Sequence, residues 1–131
     1  MDSCVKIINE WDIVAARQLG RNVARDLGFG TVDQARITTA ISELARNIYL
    51  YAEQGEVCIE KTESGGKIGL VIISEDQGPG ISDLRKVMED GFSTSGGLGA
   101  GLPGVKRLVD EFHIESNPGE GTLIKAIKWL R

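Results

Sequence analysis

Ile68-Gly69-Leu70-Val71-Ile72-Ile73-Ser74-Glu75-Asp76-Gln77-Gly78-Pro79-Gly80 is the stretch on which the reading of this chain turns. Ile68 to Ser74 is a nearly continuous apolar run, the pattern of a central β-strand buried on both faces. It gives way at once to an acid and two glycines. A carboxylate at a strand end can accept a hydrogen bond from an exocyclic amine such as that of adenine. Gly78 and Gly80 let the loop bend close beneath the ring. Asp76 to Gly80 would serve equally well as a structural turn, because Asp and Gly are ordinary turn residues.

Upstream, Glu63-Ser64-Gly65-Gly66-Lys67 reads as a hairpin turn joining this strand to Val57 to Lys61, where apolar and charged residues alternate. Before that, Thr31 with Gln34 forms a capping-box pattern, and Ile37, Ile41, Leu44, Ile48 and Tyr51 keep helical spacing to Ala52. The amino-terminal part reads as a strand over residues 4 to 9, then a helix capped by Asp12, carrying Ala16, Leu19, Val23 and Leu27 and stopping at Gly28. Downstream, the spacing predicts a short helix from Ser82 to Asp90. A further helix from Gly101 presents Val105, Leu108, Val109 and Phe112. Two strands, His113 to Ser116 and Thr122 to Leu130, flank a Pro118-Gly119-Glu120-Gly121 turn. The order is α+β rather than a regular βαβ alternation, which predicts one mixed sheet with helices on one face.

Composition narrows the function. The 131 residues suit one domain over 1–131. Lys plus Arg at 15 against Asp plus Glu at 19 leaves a net charge of −4, with no cationic surface for a nucleic acid backbone. No run is long and apolar enough to span a bilayer and no signal-peptide order opens the chain, so a cytoplasmic protein without a membrane partner is expected. Cys4 and Cys58 sit in strand-like runs without metal-ligand spacing, which predicts buried reduced thiols rather than a disulfide or zinc site. Trp11, Tyr49, Tyr51 and Trp129 are too dispersed for a base-stacking surface and suit core or interface positions.

Eight of the 17 glycines fall between Gly78 and Gly104. The apolar spacers Leu98, Leu102 and Val105 and the periodic segments on both sides distinguish this cluster from a flexible tether and point to a phosphate cradle. Gly99-Ala100-Gly101-Leu102-Pro103-Gly104 literally matches the dinucleotide fingerprint, but Ser93-Thr94-Ser95-Gly96-Gly97 precedes it where a strand is required. The P-loop and the eukaryotic-type kinase motifs are absent from the sequence. On the helix from Thr31, Glu43 and Asn47 lie about 40° apart beside the apolar stripe. An amide oxygen there could coordinate Mg²⁺, and a carboxylate could orient or deprotonate an attacking hydroxyl. A Glu and an Asn so spaced would also suit a solvated helix edge. The helix opening near Gly101 offers N–H groups and a positive dipole end to phosphates.

Together these segments resemble the GHKL (Bergerat-fold) ATPases. Glu43-Leu44-Ala45-Arg46-Asn47 is similar to the N box, Asp76-x-Gly78-x-Gly80 to the G1 box and Gly97-Leu98-Gly99-Ala100-Gly101-Leu102 to the G2 box, while Gly121-Thr122 matches the last element. More narrowly, Ile41 to Tyr51 and Phe92 to Leu108 resemble the serine/threonine switch kinases of bacterial stressosomes. The resemblance implies a two-layer α/β sandwich binding ATP and Mg²⁺ between the long helix and a lid at about Met88 to Leu98. Asn47 would bind Mg²⁺ and Glu43 would act as base. Asp76 would read adenine with Gly78 and Gly80 beneath it, Gly97, Gly99, Gly101 and Leu102 would form the phosphate loop, and Thr122 would support the adenine end. The implied partners are STAS-domain stressosome scaffold and antagonist proteins as phosphate acceptors, and a PP2C-type phosphatase activated by the released kinase. An anti-sigma-factor kinase that sequesters a sigma factor, and a non-catalytic ATP-dependent binding module, are the alternatives. The one histidine, His113, enters a strand, which argues against a phospho-accepting histidine kinase.

Overall fold

In a computed structural model of the chain, residues 3–52, 54–80 and 101–131 are described. Strand β1 (Cys4–Ile7) leads into helices α1 (Glu10–Leu27) and α2 (Thr31–Asn47). A single π-helical turn (Ile48–Ala52) continues α2. The hairpin of β2 (Gly55–Ser64) and β3 (Lys67–Asp76) follows, then helix α3 (Gly101–Leu108) and a second hairpin of β4 (Glu111–Asn117) and β5 (Gly121–Trp129). The short helix expected over 82–90 and the lid expected at 88–98 lie outside the described residues.

The strands form one sheet in the order β1-β2-β3-β5-β4. The expectation of a mixed sheet is corrected: all four pairings are antiparallel. The chain crosses from β3 past one strand position to β4, then turns back so that β5 fills the gap. Strands β3 and β4 run the same way but never touch.

Both helices of the amino-terminal half pack on one sheet face, α1 against β1, β2 and β3, and α2 against β2 and β3. Their apolar stripes meet the inward residues of the strands. Ile37, Ile41, Leu44 and Ile48 of the predicted α2 stripe are buried with Ile7, Val57, Ile59, Leu70, Ile72, Ile124 and Ala126. Each large side chain so covered contributes about 1.5–3 kcal/mol. Tyr51, placed on the same stripe by spacing, is exposed because the π turn rotates the backbone out of α-helical register. Trp11 is exposed as well and is no part of the core.

The helix starts differ from expectation in an instructive way. Asn9, not Asp12, caps α1: its side chain accepts the Trp11 N–H at 3.0 Å, while Asp12 reaches back to accept the N–H of Asn9 at 3.0 Å. These N–H groups, Asn9 first and then Ile8, hold the Asp12 carboxyl below its usual range. A depressed native pKa adds stability that is present above the unfolded value and is lost as pH falls through the native one. The Thr31–Gln34 box does not form. Gly30 takes the cap position of α2 without a side-chain cap, and the Gln34 amide donates instead to the carbonyl of Phe29 at 2.8 Å. Gly28 ends α1 in the left-handed region, as its position in the sequence predicts.

The expected buried thiols are corrected too. Cys4 and Cys58 are joined in a disulfide, with Cys4 exposed on the edge strand. The register places them directly opposite each other, and the hydrogen bond from Ile59 N–H to the Ser3 carbonyl makes theirs the non-hydrogen-bonded pair, with Cα atoms 4.0 Å apart. Such positions bring facing side chains closest. The sulfur link spans 54 residues of sequence, so its loss is expected to lower stability by about 2–4 kcal/mol. Urea unfolding of wild type and Cys4→Ser, with and without reductant, checks this. Reductant should lower the wild-type midpoint to that of the variant, and a midpoint indifferent to reductant would contradict it.

Candidate active site

Asp76 and Thr122 of the predicted site meet at one end of the sheet. Asp76 ends β3 and is the register partner of Gly55 on β2 and of Thr122 on β5, which in turn pairs with Ser116 on β4. Side chains of directly paired residues project from the same face, so Asp76, Thr122 and Ser116 form a row of oxygens beneath the helical layer.

Asp76 is half-buried, and its Oδ1 accepts the Gly78 N–H at 2.9 Å. Burial raises its pKa above the usual Asp value, and the N–H groups of Gly78 and Thr122 offset part of that rise. The loop after Asp76 is fixed by the β4–β5 turn, where the Gly119 N–H donates to the Pro79 carbonyl at 2.7 Å. Two glycines are required here. Gly80 has φ +76° and Gly121 has φ +94°, a region L-residues rarely enter. A Cβ on Gly80 would press into the Asn117 carbonyl, and one on Gly121 into the carbonyl oxygen of Asp76 itself. Gly78 packs directly on Ala52, at the end of the π turn, which ties the loop to the continuation of α2.

On α2, Glu43 and Asn47 are partly buried, one turn apart. Among the described residues, Glu43 Oε2 and Asn47 Oδ1 are the buried side-chain polar atoms that have no hydrogen-bond partner. Native proteins rarely leave such atoms unsatisfied outside functional sites. A solvated helix edge does not account for them. Two acceptor oxygens that meet no donor among the described residues match the needs of a hard cation and of a hydroxyl proton.

Helix α3 packs on α2, with Gly101 and Leu102 buried at its start. Gly97 and Gly99 lie outside the described residues. Ser116 was not singled out by its sequence; its only signal is a hydroxyl placed across a tight turn from Thr122. His113 is exposed beside Glu115 at 3.1 Å, remote from the row of oxygens in both register and face.

An acid-ended central strand, a glycine-bounded loop and a helix carrying an unsatisfied Glu–Asn pair coincide with a family pattern. The model of the histidine kinase-, DNA gyrase B- and HSP90-like ATPases matches residues 32–130. The chain belongs to this family. Within the GHKL ATPases it is 78% identical over 129 residues to the serine/threonine-protein kinase RsbT of Bacillus subtilis (strain 168), covering 98% of this chain and 97% of that one. It is 34% identical over 102 residues to the anti-sigma F factor of Thermoanaerobacter sp. (strain X514), covering 73% and 70%. In fold it is similar to the RsbU and RsbW domains of Rv1364c from Mycobacterium tuberculosis, with TM-score 0.61 and 20% identity over 95% of this chain and 32% of that one. The mycobacterial sensor histidine kinase MprB gives TM-score 0.58 and 17% identity over 98% and 97%. This GHKL protein is an ATP-dependent protein serine/threonine kinase. No helix among its described residues is long and apolar enough to cross a membrane.

Proposed function

We propose that residues 1–131 act as one cytoplasmic kinase domain that transfers the γ-phosphate of ATP to Ser or Thr of STAS-domain stressosome proteins and, once released from them, binds and activates a PP2C-type phosphatase. The 78% identity to a serine/threonine kinase over nearly the whole chain carries this reading. The unsatisfied oxygens of Glu43 and Asn47 support it chemically.

In this reading Asp76 accepts the amine of adenine. Gly78 and Gly80 shape the floor beneath the ring, and Thr122 supports the same end. Asn47 Oδ1 is the hard oxygen offered to Mg²⁺, which when bound supplies neutralisation of phosphate charge. Glu43 takes the proton of the acceptor hydroxyl. Gly101 and Leu102 open α3, whose first N–H groups face anionic oxygens favourably. Gly97 and Gly99 are assigned to the phosphate loop on sequence resemblance. Phosphoryl transfer depends mainly on positioning and charge neutralisation, so the site needs no covalent nucleophile.

Incubation with radiolabelled ATP, Mg²⁺ and a purified STAS-domain protein tests the proposal. Label on an acceptor Ser or Thr supports it, and no transfer to any STAS partner refutes it. The 34% identity to an anti-sigma F factor favours a second reading, in which a sigma factor is sequestered. Tight sigma-factor binding with no phosphatase activation would decide for that reading.

A pH prediction also follows. The Asp76 pKa is raised chiefly by burial, so its carboxylate takes up a proton at a higher pH than an ordinary Asp does. ATP affinity is expected to decline as pH falls through that raised value, by up to about tenfold per unit below it. The linked effect on folding has its own sign: protonation is favoured in the native state, so this group's contribution to stability is largest below the unfolded pKa and is lost as pH rises through the native one. Calorimetric ATP titrations of the wild type between about pH 4 and 7 check the binding claim. The affinity should fall toward the acid end, and a flat profile would refute it.

A further inference from the structure

We propose that Ser116 is a positioning residue that sets base selectivity by fixing the direction of the Thr122 hydroxyl. The inference rests on the placement of the base beside Asp76 and Thr122 given above. Ser116 Oγ donates to the Gly121 carbonyl at 3.0 Å and lies 2.8 Å from Thr122 Oγ1. A serine hydroxyl holds one hydrogen, and a carbonyl oxygen can only accept. The Ser116 hydrogen is therefore spent on Gly121, and the hydrogen in the Ser116–Thr122 bond comes from Thr122. Thr122 Oγ1 then has only lone pairs left to offer a ligand.

Asp76 is acceptor-only in its ionised form, and it is the direct register partner of Thr122 on β3. Its Oδ1 also accepts the Gly78 backbone N–H at 2.9 Å. The base edge thus meets two acceptors whose directions are fixed by protein donors. A 6-aminopurine supplies the amine hydrogens they require. A 6-oxopurine places a carbonyl oxygen against them, and a buried acceptor facing an acceptor is strongly disfavoured.

Ser116→Ala removes the acceptor of the Thr122 hydrogen, so the Thr122 hydroxyl becomes free to turn and donate to a 6-oxo group. The test compares calorimetric affinities for ATP and ITP in wild type, Ser116→Ala, Ser116→Thr and Thr122→Val. Ser116→Ala should lower the ATP-to-ITP preference about tenfold, mainly by strengthening ITP binding. Ser116→Thr, which keeps the hydroxyl, should restore the preference. In a Thr122→Val background Ser116→Ala should change nothing further, since no hydroxyl remains to be steered. A merely structural serine would weaken both nucleotides equally, and that result, or an unchanged ratio, would overturn the proposal. Loss of ATP binding in Asp76→Asn together with an unchanged Ser116→Ala ratio would overturn this inference alone. ATP binding untouched by Asp76→Asn would overturn the base placement and the inference together.

Discussion

Glu43→Ala should lower phosphate transfer by about 10²–10⁴-fold while leaving ATP binding within a few-fold of wild type. The size follows from the work assigned to the carboxylate, removal of a proton from the acceptor hydroxyl, which gives no help in binding the nucleotide. The fold is not expected to suffer. Glu43 Oε2 has no hydrogen-bond partner among the described residues, so truncation severs no bond to that oxygen there and relieves a buried acceptor of an unmet need. Activity loss and stability loss therefore separate, which few active-site substitutions allow. Single-turnover transfer, ATP calorimetry and a thermal melt on the same preparation check it. Retention of full transfer would remove Glu43 from the base role, and joint loss of transfer and folding would mean that its burial is structural.

Asp76→Asn should weaken ATP by at least about 100-fold, which exceeds the effect of a simple lost hydrogen bond. An asparagine must turn its carbonyl toward the N–H of Gly78, which now donates to Asp76 Oδ1 at 2.9 Å. Its amide nitrogen then occupies the other oxygen's place and presents hydrogens to the hydrogens of the adenine amine. The substitution thus replaces an attraction with a clash of donors while altering almost no volume. Burial of the native carboxylate already costs stability, so the neutral amide should leave the melting temperature unchanged or higher.

What was legible in the sequence is what local chemistry dictates. Gly28 ends a helix because a left-handed residue must, Gly65 and Gly66 turn a hairpin, and a four-residue spacing alone puts Glu43 and Asn47 on one side of α2. Asp76 to Gly80 stood out as a site or a turn, because an acid and two glycines close a buried apolar run. The failures arose where two local solutions compete or where distant residues decide. Asn9 and Asp12 both belong to one capping box, and only the backbone geometry shows which is the cap. At α2 the Gln34 side chain is drawn to Phe29, which leaves Thr31 inside the helix. The all-antiparallel sheet depends on β5 inserting between β3 and β4, a choice that no residue pattern within either strand records. The Cys4–Cys58 bond depends on the register of β1 against β2, and the Ser116 relay on a register across the second hairpin. Both are cross-strand facts and were invisible to periodicity. The unmet oxygens of Glu43 and Asn47 favour a site over the solvated edge that the spacing alone also fits.

Calorimetric titration of Mg²⁺–ATP into wild type and Asp76→Asn, with NAD as the control ligand, decides whether an ATP site is built around Asp76. Saturable one-to-one ATP binding to wild type, its loss in the variant, and no comparable binding of NAD to either are expected. Equal ATP affinities for the two proteins, or a preference for NAD, would contradict it.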